Sequence, residues 1–492
     1  MALEHPQAGT VISGFAAIDS YVSQQMRAGI IPGLALAIVR GDQVVHVQGF
    51  GTAGPGGRDV TAETPFLIGS LSKSFTALAI MQLVEAGKIE LDAFVQRYIP
   101  WFRLADAQAS ARITVRELLN QTSGIPTSAG IKPVAEGGNK TLEQRVREMR
   151  AVKLSKPVGS TFQYSNANYV ILGLIVQVVS GISYGKYIEQ HIFAPLEMRH
   201  SYVSETEAEQ HGLASGYQWW FGYPVATGHP FLPDQLPAGY IISCAEDMAR
   251  YLLAHMNQGR YGSTSILSPQ GMAELQTGVA VIGRSQLQYG MGWMTGNVND
   301  LYVIMHAGDN WNYHADIAIA PREQVGVVIL INANSILAAT TNGLQGHIVT
   351  DVLRQLTGRQ PRPRRLSFKQ VYIIVDLLIA AITGLQIWNL ARIVRNWYKL
   401  PLTTPGDLIR SSILPVLGHF VLPIDYFLIF PRVIPGFHTI LRRYQPDLNA
   451  WLILTALLSL ATGVAGTIRA IFAPSYTAKV KEIERKVERQ GK

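Results

Sequence analysis

The stretch Phe66-Leu67-Ile68-Gly69-Ser70-Leu71-Ser72-Lys73-Ser74-Phe75 decides the fold of this 492-residue chain. It reads as a strand end, one glycine at a tight turn, and the start of a helix. Ser70 and Lys73 are three residues apart, so they share a face of that helix. The helix is expected to run to about Ala86, with Gly87 as its C′ residue. Leu71, Phe75, Leu78, Ile80, Met81, Leu83 and Val84 make it apolar nearly all round, the pattern of a helix inside a domain. A lysine placed there is costly without a role. Burial also lowers its pKa, which is what a general base needs. A serine beside such an amine is a usable nucleophile. The spacing alone is worth little, because Ser183-Tyr184-Gly185-Lys186 repeats it. There the serine reads as a helix N-cap and the lysine as solvated. From its own stretch, Ser70 reads equally well as a cap.

On the N-terminal side, residues 10–29 read as an amphipathic helix through Val11, Phe15, Ile18, Val22 and Met26. Leu34–Val39, a Gly41-Asp42 turn and Val44–Val47 read as a β-hairpin. On the C-terminal side, helical pieces are expected near Val115–Asn120, Thr141–Val152, Ala167–Val179, Tyr184–Phe193 and Ala245–Asn257. Strands follow at Gln288–Met294, Leu301–His306, His314–Ala320 and Val325–Ile331, then a helix over Ile336–Leu356. Short links favour antiparallel neighbours. The expected architecture is α+β: an antiparallel sheet flanked by helices, with the first hairpin pairing with late strands and a helical region inserted between them.

That domain closes near residue 357. A basic, proline-containing linker occupies 358–369, and a membrane region is expected over 370–475. Its apolar stretches lie at about 371–388, 413–430 and 450–468, each near the ~20 residues that span a bilayer, and a charged tail covers 476–492. Asp376 and Asp425 are expected to face each other or His419 inside a small bundle. The chain is 48% apolar with a net charge of +8, but residues 359–492 alone carry +12. The basic excess therefore belongs to the tail and suits a membrane surface better than nucleic acid. A single cysteine, Cys244, excludes an intramolecular disulfide. No zinc-spaced Cys/His cluster, HExxH, GxGxxG or Walker sequence is present.

Two further elements stand out. Tyr164-Ser165-Asn166 precedes a long apolar helix, and an i, i+2 pair in a loop can turn both side chains into one cleft. A tyrosine near a lysine can shuttle a proton, and an asparagine amide can hold a carbonyl. The bland alternative packs Tyr164 in the core and makes Asn166 a cap. His306-Ala307-Gly308-Asp309 ends a strand. A glycine there lets a substrate lie on the strand edge, and the Asp309 N–H can join the Ser70 N–H as an oxyanion donor pair. Alone, His306 reads as a satisfied sheet-edge histidine.

Taken in this order, with Tyr164 and His306 lying 94 and 236 residues after Ser70, the three elements resemble the serine hydrolases related to class C β-lactamases and penicillin-binding D-alanyl-D-alanine carboxypeptidases. The resemblance extends to Ile113–Pro126 and Pro237–Arg250 and covers roughly residues 10–357. It implies Ser70 as the acylated nucleophile, Lys73 and Tyr164 as the proton-transfer pair, and Asn166 as a substrate-positioning group. His306 and Gly308 match the third motif, with oxyanion donors from Ser70 and Asp309. It implies a small-molecule or peptide acyl substrate and no metal or organic cofactor, and it leaves the oligomeric state open. One departure matters: the third motif usually begins with lysine, and here it is His306. That weakens β-lactam and D-Ala-D-Ala substrates and leaves ester, amide and D-amino-acid peptide substrates in view. A Ser-His-Asp triad fits less well, since no Gly-x-Ser-x-Gly elbow exists and Lys73 would go unexplained.

Three readings follow: a membrane-tethered serine hydrolase, a non-catalytic sensor signalling through the membrane helices, and an interaction module with a retired site. Retention of Ser70, Lys73 and Tyr164 together favours the first. Lys and Arg near the span ends number 11 on the tail side and 8 on the domain side, which places the hydrolase domain outside the cytoplasm. The opening Met1–Pro6 does not read as a secretory signal peptide, which argues the other way.

Overall fold

The computed structural model describes residues 14–136, 138–228, 230–298, 300–340, 344–362, 366–396, 414–434 and 437–490. The chain forms two compact units, Met1–Lys369 and Gln370–Lys492. In the first unit β1 (Gly33–Arg40) and β2 (Gln43–Gly51) form the expected hairpin. Short pairs follow in β3 (Phe66–Leu67), β4 (Tyr217–Trp220), β5 (Tyr223–Ala226), β6 (Ile242–Ser243), β7 (Arg260–Tyr261) and β8 (Thr264–Ser265). The late strands are β9 (Ala280–Val281), β10 (Leu287–Tyr289), β11 (Met294–Val298), β12 (Leu301–Asp309), β13 (His314–Ala320) and β14 (Val325–Ile331).

One eight-stranded sheet takes the order β2-β1-β14-β13-β12-β11-β10-β9. The first hairpin closes on the last strand, antiparallel, from Leu34 opposite Ile331 to Arg40 opposite Val325. This is the split antiparallel α+β architecture read from the sequence. β13 and β14 are buried along their whole length. That explains why neither Ile317–Ala320 nor Val325–Ile331 alternates with polar residues, since a strand covered on both faces has no reason to alternate. The helices Gly14–Gly29 and Leu344–Leu356 pack together, the second against β13 and β14, while Ala245–Met256 packs on β1 and β14.

One local expectation needs correction, and two run into residues outside the described set. Gln288–Met294 is not one strand. Gly290 accepts no ladder there; its N–H bonds Trp293 O (2.8 Å) and Gly292 takes φ +79°, so the chain turns between β10 and β11. The late helix is described over Ile336–Thr340 and Leu344–Leu356, and residues 341–343 of the expected span lie outside the described set. The N-terminal helix is described from Gly14, so Val11 lies outside.

Among the described residues of the second unit, three helices are long and apolar enough to cross a membrane: Phe368–Arg395, which begins at the end of the first unit, Val416–Val433 and Pro446–Arg469. The last continues as helix to Gln490, through the segment read as a charged tail. Among the described residues no hydrogen bond or ion pair joins Asp376, Asp425 and His419. His419 faces Asn389 (3.4 Å), and its carbonyl accepts from Ser459 Oγ (2.9 Å). Tyr426 donates to Asn449 (2.8 Å).

Candidate active site

Ser70 sits in a single turn of 3₁₀ helix, Gly69–Leu71, between β3 and the helix Ser72–Glu85. Gly69 takes φ +53°, a conformation glycine adopts freely. The turn is clamped from both sides. Ser72 Oγ donates to Gly69 O (2.8 Å) and accepts from Ile241 N–H (3.1 Å), and Ile68 N–H donates to Ile241 O (3.0 Å). Ser70 does not cap the helix; the N-cap position is Leu71, which makes no side-chain cap. At Ser183 the cap is real: its hydroxyl accepts from Lys186 N–H (3.3 Å), and Lys186 is exposed. Burial separates the two copies of the pattern, because Lys73 is fully buried.

Lys73 Nζ lies 2.9 Å from Ser70 Oγ and 2.6 Å from Ala238 O. Desolvation holds its pKa well below the ordinary lysine value, which favours the neutral amine. Tyr164 donates its hydroxyl to Ser70 Oγ at 2.8 Å. Burial, reinforced by Tyr289, pushes the Tyr164 phenol well above its ordinary value, so it stays protonated. The serine hydroxyl therefore stands between an amine whose charged form burial disfavours and a phenolic donor.

β12 brings the third element against the same turn. An added Cβ on Gly308 would lie 2.0 Å from Ile68 O and 3.0 Å from Ser70 N. One on Gly69 would lie 2.7 Å from Asp309 N. The backbones that carry the Ser70 and Asp309 amides thus approach closely where the end of β12 meets the Ser70 turn. His306 is buried, with its ring 6.5 Å from the Tyr164 ring. Its Nδ1 lies 2.6 Å from Ala307 O and its Nε2 lies 3.3 Å from Tyr289 OH. Burial first, and the nearby Lys73 second, lower its pKa to about 3. His306 is therefore neutral and offers no cation. Asn166 opens the helix Asn166–Ser180 but does not cap it, since Ser165 holds the N-cap position. Asn166 makes no hydrogen bond to Ser70, Lys73 or Tyr164 among the described residues, and its buried Oδ1 has no partner.

Sequence reasoning missed several groups. Ala238 O fixes Lys73, and only its place in the Pro237–Arg250 stretch hinted at it. Tyr289 stacks edge-on against Tyr164, centroids 6.2 Å apart, and was hidden by the strand assigned across it. Behind Asp309, His314 Nδ1 lies 2.8 Å from Asp309 Oδ1 and its Nε2 2.8 Å from Asp316 Oδ2. Asn334 donates to the same Asp309 oxygen at 3.0 Å. No periodicity signals a histidine between two acids on alternate sides of a strand end. Elsewhere, ligand atoms of His200, Cys244 and Asp247 lie within 4.8 Å of one another. The Asp247 carboxylate already accepts from Arg250 (2.7 Å), Ser201 (2.8 Å) and His200 N–H (2.7 Å), a structural rather than metal-holding arrangement.

A split antiparallel sheet with a helical region between its halves, and a Ser-x-x-Lys turn at the sheet edge, define the β-lactamase/transpeptidase-like fold class. The Beta-lactamase family matches residues 18–345, and the chain belongs to it; its members are in general serine acyl-transferases or hydrolases. Protein flp of Staphylococcus aureus (strain MW2) is 30% identical over 321 residues, 65% of this chain and 63% of that protein. The match thus spans less than two thirds of that relative. Penicillin-binding protein 4 of Amycolatopsis lactamdurans is 28% identical over 346 residues, 67% of this chain and 85% of that protein. Among solved structures, the octameric penicillin-binding protein homologue from Pyrococcus abyssi is similar, with a TM-score of 0.61 and 30% identity over 70% of this chain and 78% of that one.

Proposed function

We propose that this chain is a membrane-tethered serine hydrolase acting through an acyl-enzyme on Ser70. The observation that carries the reading is the fully buried Lys73, with Nζ 2.9 Å from Ser70 Oγ. A neutral amine there can take the serine proton as Oγ attacks the substrate carbonyl carbon. The tetrahedral oxyanion sits between the Ser70 and Asp309 N–H groups. Tyr164 delivers a proton to the leaving group, which departs as its bond to the acyl carbon breaks, and the Lys73 ammonium returns the serine proton to Tyr164, leaving both groups as they began. Water then attacks the acyl carbon by the reverse route and frees Ser70. Asn166 orients the acyl portion, and His306 and Gly308 form the strand edge along which the substrate lies.

The neutral His306 supports a substrate class without an obligatory carboxylate at that edge: esters, amides or D-amino-acid peptides. The helices Phe368–Arg395, Val416–Val433 and Pro446–Arg469 support tethering, and the charge bias of the span ends supports a hydrolase domain outside the cytoplasm. Incubation with a fluorophosphonate or a fluorescent penicillin tests the reading. Ser70-dependent labelling is expected, with hydrolysis of short-chain esters. Absence of both from the wild-type chain would leave a non-catalytic sensor in its place.

A further inference from the structure

The β4–β5 hairpin carries no charged residue along Tyr217-Gln218-Trp219-Trp220-Phe221-Gly222-Tyr223-Pro224-Val225-Ala226. Its outer end is apolar and open: Tyr223 is 76% exposed, Val225 43% and Trp220 36%. A hairpin turn facing only water is ordinarily polar, and an exposed aromatic cluster marks an interaction surface. The base of the hairpin is rigid. Tyr217 N–H donates to Asn332 O (2.8 Å), Gln218 donates to Trp311 O (3.1 Å), and Asn312 donates to Thr227 O (2.6 Å).

What covers this surface is indicated by its inner ring. Trp219 lies edge-on against Phe368, centroids 4.9 Å apart, within the first compact unit. Phe368 is the residue at which the first apolar helix begins. Trp219 pairs with Pro224 and Trp220 with Tyr223, so the Phe221-Gly222 turn lies two residues beyond Trp219. At roughly 3.3 Å per strand residue, the turn is within about 12 Å of Phe368. Each headgroup layer is about 6 Å deep, and Trp and Tyr are the residues that favour it. Arg362, Arg364, Arg365 and Lys369 surround the same entry point in sequence, as an anionic membrane surface would favour.

We propose that the Trp220–Val225 end of this hairpin docks into the headgroup layer of the bilayer that the Phe368–Arg395 helix enters. The hairpin base is bonded to the Asn310–Tyr313 turn that follows Asp309, so docking holds the Ser70 region at the membrane surface. The proposal rests on the reading of Phe368–Arg395 as a membrane span, and its test separates the two.

The full-length chain is reconstituted in phosphatidylcholine/phosphatidylglycerol vesicles with an environment-sensitive fluorophore on Val225→Cys, or in a second sample on Ile382→Cys. The native Cys244 is buried. Nitroxide-labelled lipids serve as quenchers, with the spin label at the headgroup or deep in the acyl chain, and iodide probes the water phase. The Ile382 label should be quenched by the deep nitroxide. The Val225 label should be quenched at least two-fold more by the headgroup nitroxide than by the deep one, and shielded from iodide. Replacing Trp220, Phe221 and Tyr223 together by serine should abolish that quenching. A Val225 label open to iodide and untouched by nitroxide, beside a quenched Ile382 label, overturns the docking proposal alone. An unquenched Ile382 label overturns the membrane reading and the docking with it.

Discussion

Gly69 and Gly308 meet backbone to backbone: a Cβ on Gly69 would lie 2.7 Å from the Gly308 carbonyl carbon, and one on Gly308 would lie 2.0 Å from Ile68 O. Neither obstacle is a flexible side chain. The two glycines are what allow the end of β12 to reach the Ser70 turn.

Gly308→Ala is therefore expected to push β12 away from that turn and separate the Ser70 and Asp309 amides. Loss of one oxyanion donor lowers rates by about 10²–10³-fold. Fluorophosphonate labelling of the variant should slow by at least about 10²-fold, with its circular-dichroism spectrum unchanged. A correctly folded variant that labels at the wild-type rate would sink the oxyanion assignment.

Lys73→Met should abolish labelling and also change how stability depends on pH. The folded-state pKa of Lys73 is lowered by desolvation. Between that value and the unfolded value near 10.4, the unfolded chain binds more protons, so the wild-type chain gains stability as pH rises. The Met variant has no such term. Its urea midpoint relative to wild type should fall steadily as pH rises toward 10. A gap that is flat with pH would mean that Lys73 is charged in the folded chain, and the general-base role would fail.

The sequence carried the fold well, for a physical reason. β14 announces itself as an unbroken apolar run, and β13 as one from Ile317 to Ala320, because both strands are covered on both faces. The helix after Ser70 is apolar all round because it lies inside the domain. The site was legible only as a set. Ser183 shows that spacing without burial means little, and burial follows from tertiary packing that Ser-x-x-Lys does not encode. The role of Ala238 was hinted at only by its place in the Pro237–Arg250 stretch, because its contribution is a backbone carbonyl, and a carbonyl has no sequence signature. Tyr289 was concealed because the turn at Gly290–Gly292 sits inside an apolar run that looked like one strand.

His306→Lys tests what sets substrate preference. His306 is neutral, its pKa lowered to about 3 by burial and then by Lys73. A lysine there would add a cation at the strand edge where the resemblance places a carboxylate contact. Labelling by fluorescent penicillin is expected to rise at least about tenfold relative to hydrolysis of a neutral short-chain ester, as one good charge-assisted contact of ~1.4 kcal/mol would give. The variant should also melt at lower temperature, because a second amine is buried near Lys73. An unchanged ratio of the two activities would show that residue 306 does not read substrate charge.

His314 is the group through which pH should reach the oxyanion strand. Both of its ring nitrogens face carboxylates, Asp309 at 2.8 Å and Asp316 at 2.8 Å, and only the imidazolium donates from both. Burial lowers its pKa, but Asp316 and Asp309 outweigh that and raise it to about 10. In return, His314 and Asn334 hold the Asp309 carboxyl below its ordinary value against the opposing effect of burial. The imidazolium pins the end of β12 through Asp309, the residue whose N–H is proposed to complete the donor pair. Because the folded pKa exceeds the unfolded one near 6.5, the folded chain holds the extra proton between about pH 6.5 and 10. The stabilisation is complete below that window and is lost as pH rises through it. A His314→Gln variant keeps a donor to one acid only, and it should lose this slope. The gap in urea midpoint between wild type and variant should be widest near pH 6 and narrow toward pH 10. Wild-type acylation should fall on an alkaline limb near pH 10 that the variant lacks, its rate being lower and flat. Identical alkaline limbs in the two proteins would show that His314 supports the fold without reaching the reaction.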